Sequence, residues 1–157
     1  GRIQDGFAGR LPRIYFDTEF TDLSGGDLIA VGMVDETGTR EFYAEIADTW
    51  SPSQCSQFCL REVIPHLQGE PFRQPLKRVR SDLRAWLSTH GGSVTLICDA
   101  AADVVQLQQL FPTDLPTGVT VEVLGFCSRL RRRILNAGRR VHRKHGCVCT
   151  MPSTTLS

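Results

Sequence analysis

The stretch "RIYFDTEFTDLSGGDLIAVGMVDETGTREFYAEI", from Arg13 to Ile46, decides the fold that this chain is expected to adopt. It holds three apolar segments, "RIYFDTEF", "LIAVGMV" and "REFYAEI", whose β-branched and aromatic residues favour strands. Two clusters of turn-forming residues, Thr21–Asp27 and Asp35–Gly38, separate these segments. The stretch therefore predicts three consecutive strands joined as an antiparallel meander.

After the third strand, the pattern changes to helices that alternate with strands. A helix is predicted over residues 51–67, with Ser51 as N-cap and Pro52 at the first helical position. Phe58, Val63 and Leu67 line its buried face, and Pro65 is expected to end or kink it. The remaining predictions are a loop over residues 71–78, a helix from Ser81 that Gly91 and Gly92 end, helices over Asp103–Phe111 and residues 126–146, and strands over Val94–Cys98 and Val119–Leu124. This order predicts an α/β domain with a mixed five-stranded sheet flanked by helices.

Length and composition are those of one soluble globular domain, with 157 residues, 41% of them hydrophobic and 22% charged. The longest apolar run, Leu28–Val34, is far shorter than the roughly 20 residues that span a membrane, so no membrane partner is expected. The six cysteines show no disulfide-framework spacing, which predicts a reduced, cytoplasmic setting. Residues 1–12 lack periodicity and are predicted to be a flexible tail.

The charges are unevenly distributed along the chain. Residues 126–157 carry eight of the 18 lysines and arginines and none of the 17 acidic residues. The remainder is therefore net acidic, with 17 acidic against 10 basic residues. A basic segment on an acidic body suits a polyanionic partner such as nucleic acid, although a solvated helix face is an equally good interpretation.

Two acidic residues, Asp17 and Glu19, lie two apart in the first predicted strand. Side chains alternate along a strand, so both carboxylates point to the same face of the sheet. Like charges side by side are unfavourable unless a cation lies between them, and oxygen ligands suit Mg²⁺ or Mn²⁺. The alternative is an acidic pair that faces solvent.

A second acidic pair lies in the segment "ICDAAADVVQLQQLF". Asp99 ends a predicted strand, and Asp103 follows four residues later at the start of a predicted helix. Without further context, Asp103 is an ordinary helix N-cap and Asp99 an ordinary turn residue.

Together these segments resemble the DEDD 3′–5′ exonucleases. "YFDTEFTDL" with "LIAVGMV" is similar to their first motif, "ICDAAADVVQLQQLF" to their second, and "FCLREVIPHL" to the helix between the two. The resemblance covers residues 13–145 and implies a ribonuclease H-like fold, as in the ribonuclease T-like members. It also implies two metal ions, Mg²⁺ or Mn²⁺, with Asp17 bridging both and Glu19 and Asp103 completing part of the cage.

The implied reaction is hydrolysis of the terminal phosphodiester at the 3′ end of a nucleic acid. RNA is the favoured substrate, DNA stays open, and a homodimer is possible because relatives of this kind often pair. The resemblance places Thr18, Phe20 and Thr21 near the substrate. Phe20 would pack on the terminal base, or is an ordinary core aromatic. Asp99 stands where many relatives carry Asn, which implies a supporting role.

The third motif of the histidine subgroup, a His followed after four residues by an Asp, is missing. In its expected place stands "HGCVCTMPSTTLS", which has no acid. Degenerate codons for this segment, read one base out of frame, permit His-His-Ala-Leu-Asp-Asp-Ala, in which only the first Ala is forced. We therefore expect a frameshift near Gly146, an exonuclease-like domain over 13–146, and an out-of-frame tail over 147–157. The chain is expected to be impaired as an enzyme.

Three other interpretations stay open. The residues His142, His145, Cys147 and Cys149 offer ligands that zinc prefers, but their spacing matches no usual finger. A non-catalytic module would bind nucleic acid through the basic segment. A purely structural domain would bind neither metal nor nucleic acid. Divalent metal separates hydrolysis from simple phosphate binding, because hydrolysis requires it and phosphate binding does not.

Overall fold

The computed structural model of the protein describes residues 11–124. The predicted basic helix over 126–146, the zinc-ligand candidates and the tail over 147–157 lie outside this range. The strands are β1 (Arg13–Phe20), β2 (Leu28–Asp35), β3 (Glu41–Ile46), β4 (Arg73–Gln74), β5 (Val94–Cys98) and β6 (Val119–Val123). The α-helices are α1 (Gln57–Glu62), α2 (Leu76–Ser88) and α3 (Ala101–Leu110).

The strands form one mixed sheet in the order β4-β3-β2-β1-β5-β6. The pairs β1–β2 and β2–β3 are antiparallel, and the other three pairs are parallel. This confirms the predicted α/β architecture and the meander, and it is compatible with a ribonuclease H-like fold. The predicted strand number of five was wrong, because the segment predicted as a loop contains β4, a two-residue strand that pairs with the end of β3.

The main core lies between one face of the sheet and the helices α2 and α3. Ile14 and Phe16 of β1 pack there with Leu83 of α2 and Leu107 of α3, and each is at most 3% exposed. Burying such a side chain contributes about 1.5–3 kcal/mol. The opposite face carries a smaller cluster around Tyr15. The core therefore fixes β1 as a central, buried strand.

The helix predicted over Ser51–Leu67 is broken into three short pieces. The residues Pro52–Gln54 form a 3-10 turn, and extended backbone at Cys55 then ends it. Ser56 is the N-cap of α1, and its side chain accepts a hydrogen bond from the Cys59 amide. The break changes the helical phase: Phe58, predicted to be buried, is 37% exposed, and Cys59 is buried instead.

Helices α2 and α3 both begin before their predicted starts. α2 starts at Leu76, within the segment predicted as a loop. The Leu76 amide donates to Asp48 Oδ1 at 2.8 Å, which satisfies one N–H of the first turn. α3 starts at Ala101, so Asp103 lies inside its first turn and not at the N-cap. Within residues 11–124, no helix is long and apolar enough to cross a membrane.

Candidate active site

Strand β1 places Asp17 and Glu19 on the face of the sheet opposite the main core. Their neighbours on β2 are small: Asp17 is paired with Gly32, and Glu19 with Ala30. Neither partner places a bulky β2 side chain beside the carboxylates, although Ala30 itself is buried against Cys59. Both acids are only partly exposed. The predicted common face is therefore a partly enclosed acidic surface.

The strand pairing is irregular at the second acid. The register between β1 and β2 shifts between Glu19 and Phe20, so that Phe20 is paired with Leu28. The extra residue is Ile29 of β2, and such a bulge bends the strand that carries it. Glu19 keeps its partner Ala30, so the irregularity begins directly after the second acid.

Asp103 reaches this strand from α3. β5 pairs with β1 only over Arg13–Tyr15, so the later residues of β1 extend past the paired part of β5. At this edge Asp103 Oδ1 accepts hydrogen bonds from the Thr18 amide at 3.2 Å and from the Thr18 hydroxyl at 2.6 Å. The carboxylate satisfies a backbone N–H that β5 does not reach. Asp103 thereby stands next to the strand residue that separates Asp17 from Glu19.

The acids of this site repel one another. Burial, then the charges of Glu19, Asp103 and Asp99, raises the pKa of Asp17 well above its usual value. Burial and the charge of Asp103 raise the pKa of Glu19 to about 7. Burial raises the pKa of Asp103 too, although the hydrogen bonds from Thr18 oppose that effect. A cation placed among these groups would relieve the repulsion.

The side chains of Asp17, Glu19 and Asp103 offer carboxylate oxygens, which are the ligands that Mg²⁺ and Mn²⁺ prefer. In residues 11–124, no group of three or more His, Cys, Asp or Glu side chains forms a ready-made metal cage.

Helix α1 borders the site from the side of Glu19. Burial, contact with Cys55 and the charge of Glu19 raise the pKa of the Cys59 thiol to about 12. The thiol is therefore neutral at physiological pH and adds no charge to the site. Its neighbours in the small apolar cluster include Ala30, the residue paired with Glu19.

The four predicted substrate contacts lie in different environments. Thr18 is buried and bonded to Asp103. Phe20 and Asp99 are partly exposed, and the charge of Asp99 acts on the pKa of Asp103. Thr21 is 2% exposed, and its hydroxyl accepts a hydrogen bond from the Asp27 amide at 2.9 Å. Thr21 therefore holds the turn between β1 and β2.

Sequence reasoning missed two residues of α3, Gln106 and Gln109, whose amides bind this turn. The sequence signal that could have identified them was a glutamine, Gln106, at a helix position that faces the protein interior. Gln106 lies three residues after Asp103, on the same helical face, yet it is 1% exposed. A buried glutamine needs hydrogen-bond partners, which predicts a structured polar contact there.

No protein-family model matches this chain, and no curated protein matches it.

Proposed function

We propose that this chain carries a metal-dependent phosphodiesterase site of the DEDD 3′–5′ exonuclease type, which acts slowly on the 3′ end of RNA or DNA. One observation carries the proposal. Asp103 of α3, far from β1 in sequence, lies close enough to that strand for its charge to raise the pKa values of both Asp17 and Glu19, and the charge of Glu19 raises the pKa of Asp17 as well. Acids that destabilise one another in a buried position are typical of functional sites.

Asp17, Glu19 and Asp103 would hold the ions. When bound, such ions supply a water of lowered pKa and stabilise the leaving oxygen. Thr18 orients Asp103 through two hydrogen bonds, so that the carboxylate approaches β1 in a fixed direction.

The slow rate follows from what the sequence lacks. From Phe126 onward it contains no acid, and therefore no fourth carboxylate of the expected motif. A general base contributes about 10²–10⁴-fold to an enzymatic rate. Because a metal ligand is missing as well, we expect a loss of several orders of magnitude.

The charge distribution favours a second candidate, a non-catalytic nucleic-acid-binding module. Eight basic residues and no acid in residues 126–157 would contact phosphates, and such binding weakens as salt increases. This function needs no divalent ion. Metal dependence therefore distinguishes the two candidates.

The test measures metal binding and cleavage on the full chain. Mn²⁺ binding is followed by electron paramagnetic resonance, and cleavage with 5′-labelled single-stranded RNA and DNA in Mn²⁺ or EDTA. Asp17→Asn and Asp103→Asn should abolish Mn²⁺ binding. The control Asp114→Asn removes one exposed acid of the same type and should change nothing.

The outcomes separate the proposals. Mn²⁺ binding that depends on Asp17, with slow shortening from the 3′ end, supports the exonuclease site. Salt-sensitive nucleic-acid binding that is equal in Mn²⁺ and EDTA, without Mn²⁺ binding at the carboxylates, overturns it in favour of the binding module.

A further inference from the structure

Two glutamine amides of α3 clamp the turn between β1 and β2. Gln106 Nε2 and Gln109 Nε2 both donate to the carbonyl oxygen of Gly26, at 3.1 and 3.2 Å. Gln109 Oε1 accepts a hydrogen bond from the Leu28 amide at 3.0 Å, and Gln109 Nε2 also donates to Gln106 Oε1 at 2.7 Å. The two side chains thus bind each other and two backbone groups of the same turn.

The turn that they hold is tightly packed. A Cβ atom at Gly26 would lie 2.1 Å from Thr21 Oγ1 and 2.5 Å from the Asp22 nitrogen, so only glycine fits. The Thr21 amide donates to the Asp27 carbonyl at 2.9 Å, which closes the turn at its base. A closely packed turn moves as a unit, so its position follows the position of the amides on α3.

The clamp connects the two segments that carry the candidate metal ligands. Asp103 lies one helical turn before Gln106 on α3. Leu28, which the clamp holds by its amide, is paired with Phe20 directly after the irregularity at Glu19. Holding Leu28 against α3 therefore holds the backbone that follows Glu19, while the hydrogen bonds from Thr18 hold Asp103 against the backbone that precedes it.

We propose that Gln106 and Gln109 are positioning residues of the carboxylate site, which set the separation of Asp103 from Glu19. This inference rests on the proposed metal-binding function. The bonds of the clamp go to the turn and not to the carboxylates, so the amides act through the backbone that they hold. Groups that hydrogen-bond metal ligands directly contribute 10–100-fold to metal affinity, so amides that act through one stretch of backbone should have an effect near the lower end of that range.

The test compares three glutamine-to-methionine variants of the full chain, because methionine keeps the length of the side chain and loses the amide. Gln106→Met and Gln109→Met each remove bonds of the clamp. Gln108→Met is the matched control, since Gln108 lies between them and is exposed. Mn²⁺ affinity is measured by electron paramagnetic resonance at a temperature at which circular dichroism shows each variant folded.

Gln106→Met and Gln109→Met should bind Mn²⁺ at least about tenfold more weakly than the unchanged chain, and Gln108→Met should bind it equally well. A purely structural role would lower the melting temperature but leave the Mn²⁺ affinity of the folded variants unchanged, which overturns the inference. If Gln109→Met does not fold, the Mn²⁺ affinity of Gln106→Met decides, because this variant removes fewer hydrogen bonds. An unchanged chain that binds no Mn²⁺ overturns the proposed function itself, and the inference with it.

Discussion

The metal-free protein should lose stability as the pH rises from about 4.5 to about 7. In the folded state the pKa of Glu19 is raised from 4.5 to about 7, so the folded chain holds this proton more tightly than the unfolded chain does. Where the folded state binds more protons, the free energy of unfolding falls with rising pH. The shift corresponds to at most about 3 kcal/mol, fully lost above pH 7. The raised pKa values of Asp17 and Asp103 act in the same direction.

The assay is thermal unfolding in EDTA at pH 5 and pH 8, for the unchanged chain and for Glu19→Gln. In a chain of this size, about 3 kcal/mol corresponds to roughly 6–12 °C in melting temperature. Glu19→Gln should remove most of the loss attributable to this residue, because its side chain carries no charge at either pH. Saturating Mn²⁺ should restore stability to the unchanged chain at pH 8 and have little effect at pH 5, where protons compete for the ligands.

One result would refute this reasoning: the same change in melting temperature between pH 5 and pH 8 in the unchanged chain and in Glu19→Gln. The pH dependence would then arise elsewhere in the chain. Glu19 would not be a carboxylate whose charged form is disfavoured by burial and by Asp103.

Three further predictions test the site and its surroundings. Thr18→Val should weaken Mn²⁺ binding about tenfold in a binding titration, because Asp103 loses the 2.6 Å hydrogen bond from the Thr18 hydroxyl, whereas Thr18→Ser should retain it. Gly26→Ala should lower the free energy of urea unfolding by about 1–3 kcal/mol, because its Cβ collides with the turn, whereas Gly92→Ala has nothing within 4 Å and should be nearly neutral. Replacing residues 147–157 with the alternate-frame sequence should raise 3′-end cleavage by orders of magnitude in the oligonucleotide assay, and an unchanged rate would exclude the frameshift hypothesis.

The parts of the fold that were predictable have local causes. The first three strands, β1, β2 and β3, consist of alternating or continuous apolar residues, and turn-forming residues separate them. Their bounds and pairing therefore follow from residues close in sequence. β4 was missed because it has two residues and exists only by pairing with the end of β3. The start of α2 was missed because Asp48, which caps it, lies 28 residues earlier. These elements depend on tertiary contacts that no local pattern contains.

The candidate site also has features that local sequence predicts and features that depend on tertiary contacts. The common face of Asp17 and Glu19 follows from the two-residue period of a strand. The place of Asp103 beside them was expected only from family resemblance, since neighbouring residues do not determine which strand an α3 side chain meets. The role of Gln109 was not predictable, because its backbone partners lie 81 and 83 residues away.

The electrostatic cost of the site argues against a purely structural domain. Nothing in the packing of β1 requires an acid opposite Gly32 or Ala30, and an apolar residue at Glu19 would avoid a penalty of up to about 3 kcal/mol. A ligand present at 100 times its dissociation constant stabilises a protein by about 2.7 kcal/mol, which is similar in size. A divalent cation would therefore offset the electrostatic cost of the clustered carboxylates. Since Asp17, Glu19 and Asp103 offer carboxylate oxygens, we expect that ligand to be Mg²⁺ or Mn²⁺.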